Sequence, residues 1–184
     1  MRLPSPTLLA LLAAAGLLLL ASAAGDVAPV ITPVDAGLAF LARSAKVEGI
    51  VVHHSDTASA PDTQRVLAQR GYSTNYEVDQ AGNVYCYGDP ASQEAQASSA
   101  GFNAHTAAID LTHYGSQEFA PAQVAAMQQL CRWLARRFGF GLRLAPADVT
   151  QEWVNWQGSG YTLFRHSNCH PTACPGGAPM ELFV

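Results

Sequence analysis

The run Gly49-Ile50-Val51-Val52 offers no polar side chain on either of its alternating faces, and it stops abruptly at His53-His54-Ser55-Asp56. Such a run reads as a buried strand that opens into a polar loop, with His53 at the strand's end. A strand of this kind needs other layers to cover it, and the chain supplies them. From Pro121 to Phe138, the residues Val124, Met127, Leu130, Cys131, Leu134 and Phe138 recur at spacings of three and four. Pro121 sits in the first turn and Gly139 stands just past the end, so this segment predicts an amphipathic helix with Met127 and Cys131 as core residues. Pro61 to Arg70 predicts a second helix, closed by Gly71.

Tyr76–Asp79 and Val84–Tyr87 flank Gln80-Ala81-Gly82-Asn83, which is the chemistry of a β-hairpin turn. Ala107 to His113 reads as a further strand, Pro90 to Ala100 as a loop, and Phe140 to Val184 as a loop-heavy tail with little periodicity. Asp26 to Val34 reads as an extended lead-in, and Asp35 to Ala45 as a short helix capped by Asp35. Strands interleaved with helices point to the α/β class, a central sheet with helices packed on it. No internal repeat is present.

Within 184 residues there is room for one domain with a sizeable core. The first residues look removable: Met1-Arg2, an apolar stretch of about 14 residues from Leu8, then the small-residue site Ala21-Ser22-Ala23. That is the pattern of a signal peptide, and the stretch falls short of the ~20 residues a membrane span needs. The expected division is a signal peptide at 1–23, a lead-in and short helix at 24–46, and one domain at 47–184, secreted to the periplasm or outside the cell, with no stable membrane span after cleavage. No segment reads as a partner helix, so a monomer is expected. The net charge of -4, with Lys+Arg 10 against Asp+Glu 14 and no basic cluster, argues against a nucleic-acid partner. Of the four cysteines, Cys86, Cys131 and Cys169 allow at most one disulfide if Cys174 binds metal, and spacing does not select the pair.

The chemistry concentrates in Arg165-His166-Ser167-Asn168-Cys169-His170-Pro171-Thr172-Ala173-Cys174-Pro175-Gly176. Imidazole and thiolate are both good zinc ligands, and a loop of this length can turn His166 and Cys174 toward one ion. Alone the pair is a weak signal. A third ligand on another element would complete a catalytic zinc site, which holds three protein ligands and keeps one position for water. His53 and His54 compete for that role, because neighbouring strand residues face opposite ways, and spacing does not decide between them.

Several segments together, in this order, resemble a known family. They are Ile50-Val51-Val52-His53-His54-Ser55, the hairpin Tyr76–Tyr85, Asn103-x5-Ile109-Asp110-Leu111, the long helix, and His166-x7-Cys174-Pro175-Gly176. The chain is similar over about residues 47 to 178 to the zinc-dependent N-acetylmuramoyl-L-alanine amidases, the group of phage T7 lysozyme, the AmpD-type amidases and the peptidoglycan recognition proteins. The resemblance implies a central mixed β-sheet flanked by α-helices, a single domain, and a zinc site in a surface groove held by His53, His166 and Cys174. It implies hydrolysis of the amide between N-acetylmuramic acid and L-alanine, with peptidoglycan or a muropeptide as substrate.

By the same resemblance Asp110 stands where AmpD-like members carry a glutamate after Ile-Gly-Ile. That makes it the candidate base or water-orienting group, with a structural aspartate at a strand edge as the competing assignment. Thr172 stands where some relatives carry a lysine thought to steady the oxyanion and the recognition-protein amidases carry a threonine, so it is the candidate for a weaker, neutral donor to the oxyanion; a hydroxyl bonded within a turn is its alternative. One departure is evident: the family often shows Tyr-His before the hairpin strand, and this chain has Thr74-Asn75, so the assisting tyrosine is missing unless Tyr72 or Tyr76 reaches the site. His54, His105, His113 and His170 are expected as polar loop groups, with His170 inside the ligand loop.

Four other assignments compete with this one. A non-catalytic peptidoglycan-binding module of the same fold would typically lose a zinc ligand, most tellingly the cysteine, and all three are present. A blue-copper site, drawing on Met180, fits poorly with the long helix and the ligand order. A haem attachment lacks its C-x-x-C-H, and Gly158-Ser159-Gly160 is not a nucleophile elbow.

Overall fold

The computed structural model describes residues 27–115 and 117–184; the expected signal peptide at 1–23 lies outside the described residues. In chain order the elements are β1 (Ile31–Pro33), β2 (Leu41–Ala42), β3 (Gly49–His54), α1 (Ala60–Arg70), β4 (Tyr76–Val78), β5 (Val84–Cys86), β6 (Gln93–Glu94), α2 (Ala100–His105), β7 (Thr106–Leu111), α3 (Pro121–Phe138), α4 (Trp153–Trp156), β8 (Leu163–Arg165) and α5 (His166–Cys169). A 3₁₀ turn at Met180–Phe183 closes the chain.

Six strands form one mixed sheet in the order β1-β5-β4-β7-β3-β8, in which β4 and β5 are the antiparallel hairpin and the other neighbours run parallel. β3 lies between β7 and β8, and its first five residues are buried, as its apolar run requires. The two faces are covered separately. Ile50 and Val52 join Met127, Leu130, Cys131 and Leu134 of α3 in the larger core, while Val51 packs with Phe102, Trp153, Trp156 and Phe164 on the other side. Both long helices end as their sequences indicate, with Gly71 at φ 69° and Gly139 at φ 76° in the left-handed conformation that glycine adopts at least cost.

Three expectations are corrected. Asp35 to Ala45 is not helical: Gly37 takes φ 62°, the Asp35 carboxylate accepts from the Gly37 N–H at 3.2 Å, and Leu41–Ala42 pairs antiparallel with Gln93–Glu94. A local Asx turn and a strand partner outcompete a short helix with little apolar periodicity. The loop expected from Pro90 to Ala100 contains β6 and leads into α2, and the tail contains β8, whose three residues are too few to show a period. All four cysteines are free thiols, with Cys131 buried in the α3 core.

Arg43 secures the edge. Its guanidinium donates to the carbonyls of Ala104 at 2.5 Å, Gln93 and Thr106 at 3.1 Å and Asn103 at 3.3 Å, joining β6, α2 and β7 at one point. Arg43→Ala leaves these acceptors to water or to nothing, and a loss of about 1–3 kcal/mol in urea unfolding, with an unchanged m-value, is the expected outcome. A loss below about 0.5 kcal/mol would show that solvent replaces the guanidinium.

Candidate metal centre

Parallel pairing aligns His53 of β3 with Asp110 of β7, and Asp110 in turn with Glu77 of β4. Residues in register point to the same face, so the three form a row across the carboxyl ends of adjacent strands, where open α/β sheets place their ligand sites. On the other side of β3, Val52 pairs with Arg165, and the next residue of that strand's chain is His166, the first of α5. The rings of His53 and His166 therefore meet, with centroids 4.3 Å apart.

Cys174 returns to this point through its loop. Its sulfur accepts from the His54 N–H at 3.3 Å, and its carbonyl accepts from the Ser167 N–H at 2.9 Å. The ligand atoms of His53, His166 and Cys174 all lie within 4.8 Å of one another. Of the two adjacent histidines it is thus His53 that joins the group. His54 alternates away, and its ring meets His113 edge-on at 5.9 Å.

The trio fits a zinc ion. Tetrahedral N and S ligands at about 2.0–2.3 Å from the ion stand roughly 3.3–3.8 Å from each other, a small contraction of the present spacing. His166 Nε2 is buried with no hydrogen-bond partner, an orphan that a cation would satisfy. Burial, with the neighbouring histidines, holds His53 well below its usual range and pushes His166 down to about 4, so both imidazoles are neutral with a lone pair to give. Burial pushes the Cys174 thiol up to about 12, reinforced by Asp110, so the thiol ionises only as a cation arrives.

Asp110 is buried at 5% exposure and lines the same groove. Burial raises its carboxyl to about 8, the charge of Glu77 adds to that, and a hydrogen bond from Thr74 opposes it. Two carboxyl groups side by side in a buried row favour keeping a proton, and Asp110 holds it at neutral pH. Thr172 also lines the groove; its hydroxyl accepts from the Cys174 N–H at 3.3 Å, which leaves its own proton free to donate. The groove measures about 530 Å³, with the wall of α1 on one side and Gln96 to Ser98 and the ligand loop among its other lining residues.

Tyr76 is buried and meets Trp133 of α3 at 6.5 Å on the opposite face, so it does not reach the site, whereas Tyr72 is 52% exposed and lines the groove. Thr74 and Asn75 have other tasks. The Thr74 hydroxyl donates to the carbonyls of Tyr76 and Ala108, each at 3.1 Å, and Asn75 stitches the sheet by accepting from the Ala108 N–H at 3.0 Å and donating to the Gly88 carbonyl at 3.0 Å. His170 is exposed and edge-on to His166 at 4.4 Å; His105 stacks on Trp153 at 5.0 Å, and His113 on Phe119 at 4.2 Å. Met180 is buried in the larger core, away from the trio.

Two residues that build the site were not singled out from sequence. Glu77 is fully buried and accepts from the Tyr87 and Thr112 hydroxyls at 2.5 Å each; burial raises its carboxyl, and those hydroxyls oppose the rise. Its signal was an acidic residue between Tyr76 and Val78 in a strand. Asn168 is also fully buried: it accepts from the Arg165 N–H at 2.8 Å and donates to the carbonyls of Pro146 at 2.8 Å and Val149 at 2.7 Å, fixing the turn that presents His166.

Residues 43–177 match the model of the N-acetylmuramoyl-L-alanine amidase (Amidase_2) family. No curated protein matches the chain in sequence. Among solved structures it is similar to the endolysin N-acetylmuramoyl-L-alanine amidase LysCS from Clostridium intestinale URNW, with TM-score 0.65 and 21% identity over 86% of this chain and 95% of that one. The Ph2119 endolysin from Thermus scotoductus MAT2119 bacteriophage Ph2119 gives TM-score 0.62 and 17% identity over 84% and 96%. The Drosophila peptidoglycan recognition protein SA gives 0.54 and 16% over 80% and 86%. These likenesses share the mixed sheet and flanking helices of a single domain.

Proposed function

The chain belongs to the N-acetylmuramoyl-L-alanine amidase family, and from that premise we propose that it is a zinc-dependent enzyme cleaving the amide between N-acetylmuramic acid and L-alanine in peptidoglycan. The observation that carries this reading is the convergence of His53, His166 and Cys174 within 4.8 Å of one another at the floor of an open groove. The chemistry a zinc ion supplies when bound in such a site is activation of water near neutral pH and polarisation of the substrate carbonyl.

The chain's own residues account for the rest. The two neutral imidazoles and the Cys174 thiolate would hold the ion from three different segments, so the geometry depends on β3, α5 and the Cys174 loop staying in place. Asp110, whose carboxyl burial raises to about 8 in the metal-free groove, stands beside His53 and is positioned to exchange a proton with water or with the departing amide nitrogen. Thr172 lines the groove, and its O–H, uncommitted while its oxygen accepts from the Cys174 N–H, can serve as a neutral donor for the carbonyl oxygen, a weaker aid than a lysine ammonium. The leader-like N-terminus supports export, and among the described residues no helix is long and apolar enough to cross a membrane.

The test incubates the mature protein with peptidoglycan, with and without a zinc chelator, and measures newly freed N-terminal L-alanine by mass spectrometry. Chelator-sensitive release is expected. Binding of peptidoglycan without release, by protein that contains zinc, would replace the enzyme with a binding module and point to the missing tyrosine at Thr74 as the lesion.

A further inference from the structure

Asn103 opens one of the ordered segments that resemble the amidases, yet it is not among the residues that line the groove. It is buried on α2, and its side chain is devoted to one residue of the preceding loop. Oδ1 accepts from the Ser98 N–H at 2.8 Å, and Nδ2 donates to the Ser98 carbonyl at 3.2 Å. An amide that bonds both backbone groups of a single residue fixes that residue's peptide planes where no helix or strand does so.

Ser98 does line the groove, and its hydroxyl lies 3.4 Å from Nε2 of His53. Burial keeps His53 neutral, so its ring carries one proton, on Nε2 or on Nδ1. The choice matters for a metal, because only the bare nitrogen has an in-plane lone pair to give, and the hydrogen bond made by the other nitrogen sets it. The contact with the His166 ring, 4.3 Å between centroids, supplies packing but selects neither nitrogen. Ser98 Oγ can select one. When it accepts from Nε2–H, Nδ1 is the bare atom left for an ion shared with His166 and Cys174.

We propose that Ser98 is a positioning residue for the metal centre: clamped by Asn103, it accepts from His53 Nε2–H, orients the imidazole and presents Nδ1 to the zinc ion. This rests on the zinc reading above and adds to the centre two residues that do not touch the ion. It also gives the segment Asn103-x5-Ile109-Asp110 two tasks: Asn103 secures the partner of a ligand, and Asp110 stands beside that ligand in register.

Two readouts test this without peptidoglycan. The first is the zinc Kd, by competition with a chromophoric chelator at fixed pH. Ser98→Ala is expected to weaken it about 10–100-fold, Asn103→Ala to weaken it in the same direction, and Ser98→Thr, which keeps the hydroxyl, to restore most of the loss. The second is the nitrogen NMR spectrum of the His53 ring in the metal-free protein, assigned by its loss in His53→Gln, which tells a protonated ring nitrogen from a bare one. The parent is expected to carry its proton on Nε2, and Ser98→Ala to mix the two forms. A serine that served only its loop would change urea unfolding and leave both readouts where they were. That result, a parent with the proton on Nδ1, or a parent that binds no zinc overturns the assignment, and the parent spectrum decides even where a variant does not fold. Ser98-dependent zinc binding without hydrolysis of peptidoglycan keeps the positioning role and removes the amidase. Chelator-sensitive hydrolysis with zinc binding indifferent to Ser98 does the reverse.

Discussion

Cys174→Ala is expected to empty the centre of metal and to lower peptidoglycan hydrolysis on the order of 10³-fold or more, because a site with three protein ligands retains only two. Metal content after dialysis and the rate at which stem peptide with a free N-terminal L-alanine appears are the two measurements, and they should fall together. The sulfur also sets a pH dependence. In the metal-free protein the thiol sits at about 12 and both imidazoles are neutral above pH 7, so uptake of the ion releases the thiol proton. Affinity should therefore rise about tenfold for each pH unit between roughly 7 and 9, a slope that Cys174→Ala removes. Because Cys174 lies in a loop and packs through its sulfur on the His54 backbone, the metal-free variant should unfold close to the metal-free parent. Full activity in a variant free of zinc would rule out the centre as the seat of the reaction.

Asp110→Asn is expected to lower kcat by about 10²–10⁴-fold and, in the metal-free protein, to raise stability at neutral pH. The second effect follows from burial. The folded carboxyl sits at about 8, against roughly 3.9 in an unfolded chain, so between those values the folded protein holds a proton that the unfolded chain has released. The parent's stability consequently has its full contribution from this group below about pH 4 and loses it as pH rises toward 8. Asparagine has no proton to lose, so the gain should be near zero at pH 4 and rise to an upper bound on the order of 5 kcal/mol at pH 8, from about 4 pK units at roughly 1.4 kcal/mol each. Chemical unfolding of both proteins across that range checks it. A variant that gains nothing at pH 8 yet loses activity would mean that water reaches Asp110 in the metal-free groove, whereas one that keeps its activity would return Asp110 to a purely structural role.

The two effects of Asp110 share one cause. A carboxylic acid buried beside Glu77 in the middle of a sheet is costly to ionise, and that cost is what lets it hold a proton in the groove. Neither residue announces this in isolation. Asp110 stands out only through its place in a family pattern, and Glu77 reads as one more polar residue of a hairpin. Only the register Glu77–Asp110–His53 shows that they form one electrostatic unit.

What was legible from sequence was local. The apolar run before His53, the stripe of α3 with Gly139 after it, the helix closed by Gly71 and the turn of the β4–β5 hairpin all follow from the periodicity and end chemistry of neighbouring residues. The ordered motifs also brought His53, His166, Cys174, Asp110 and Thr172 forward as candidates by resemblance. Tertiary structure decided what neighbours do not encode. Gly37 and the pairing of Leu41–Ala42 with β6 replaced a helix, and β8, three residues long, carried His166 to the side of β3. The choice of His53 over His54 follows from which face of β3 looks onto the groove. A strand's two faces are chemically equivalent until layers are packed on them, and ligands 53, 166 and 174 become neighbours only when a long-range parallel register closes the distance between them.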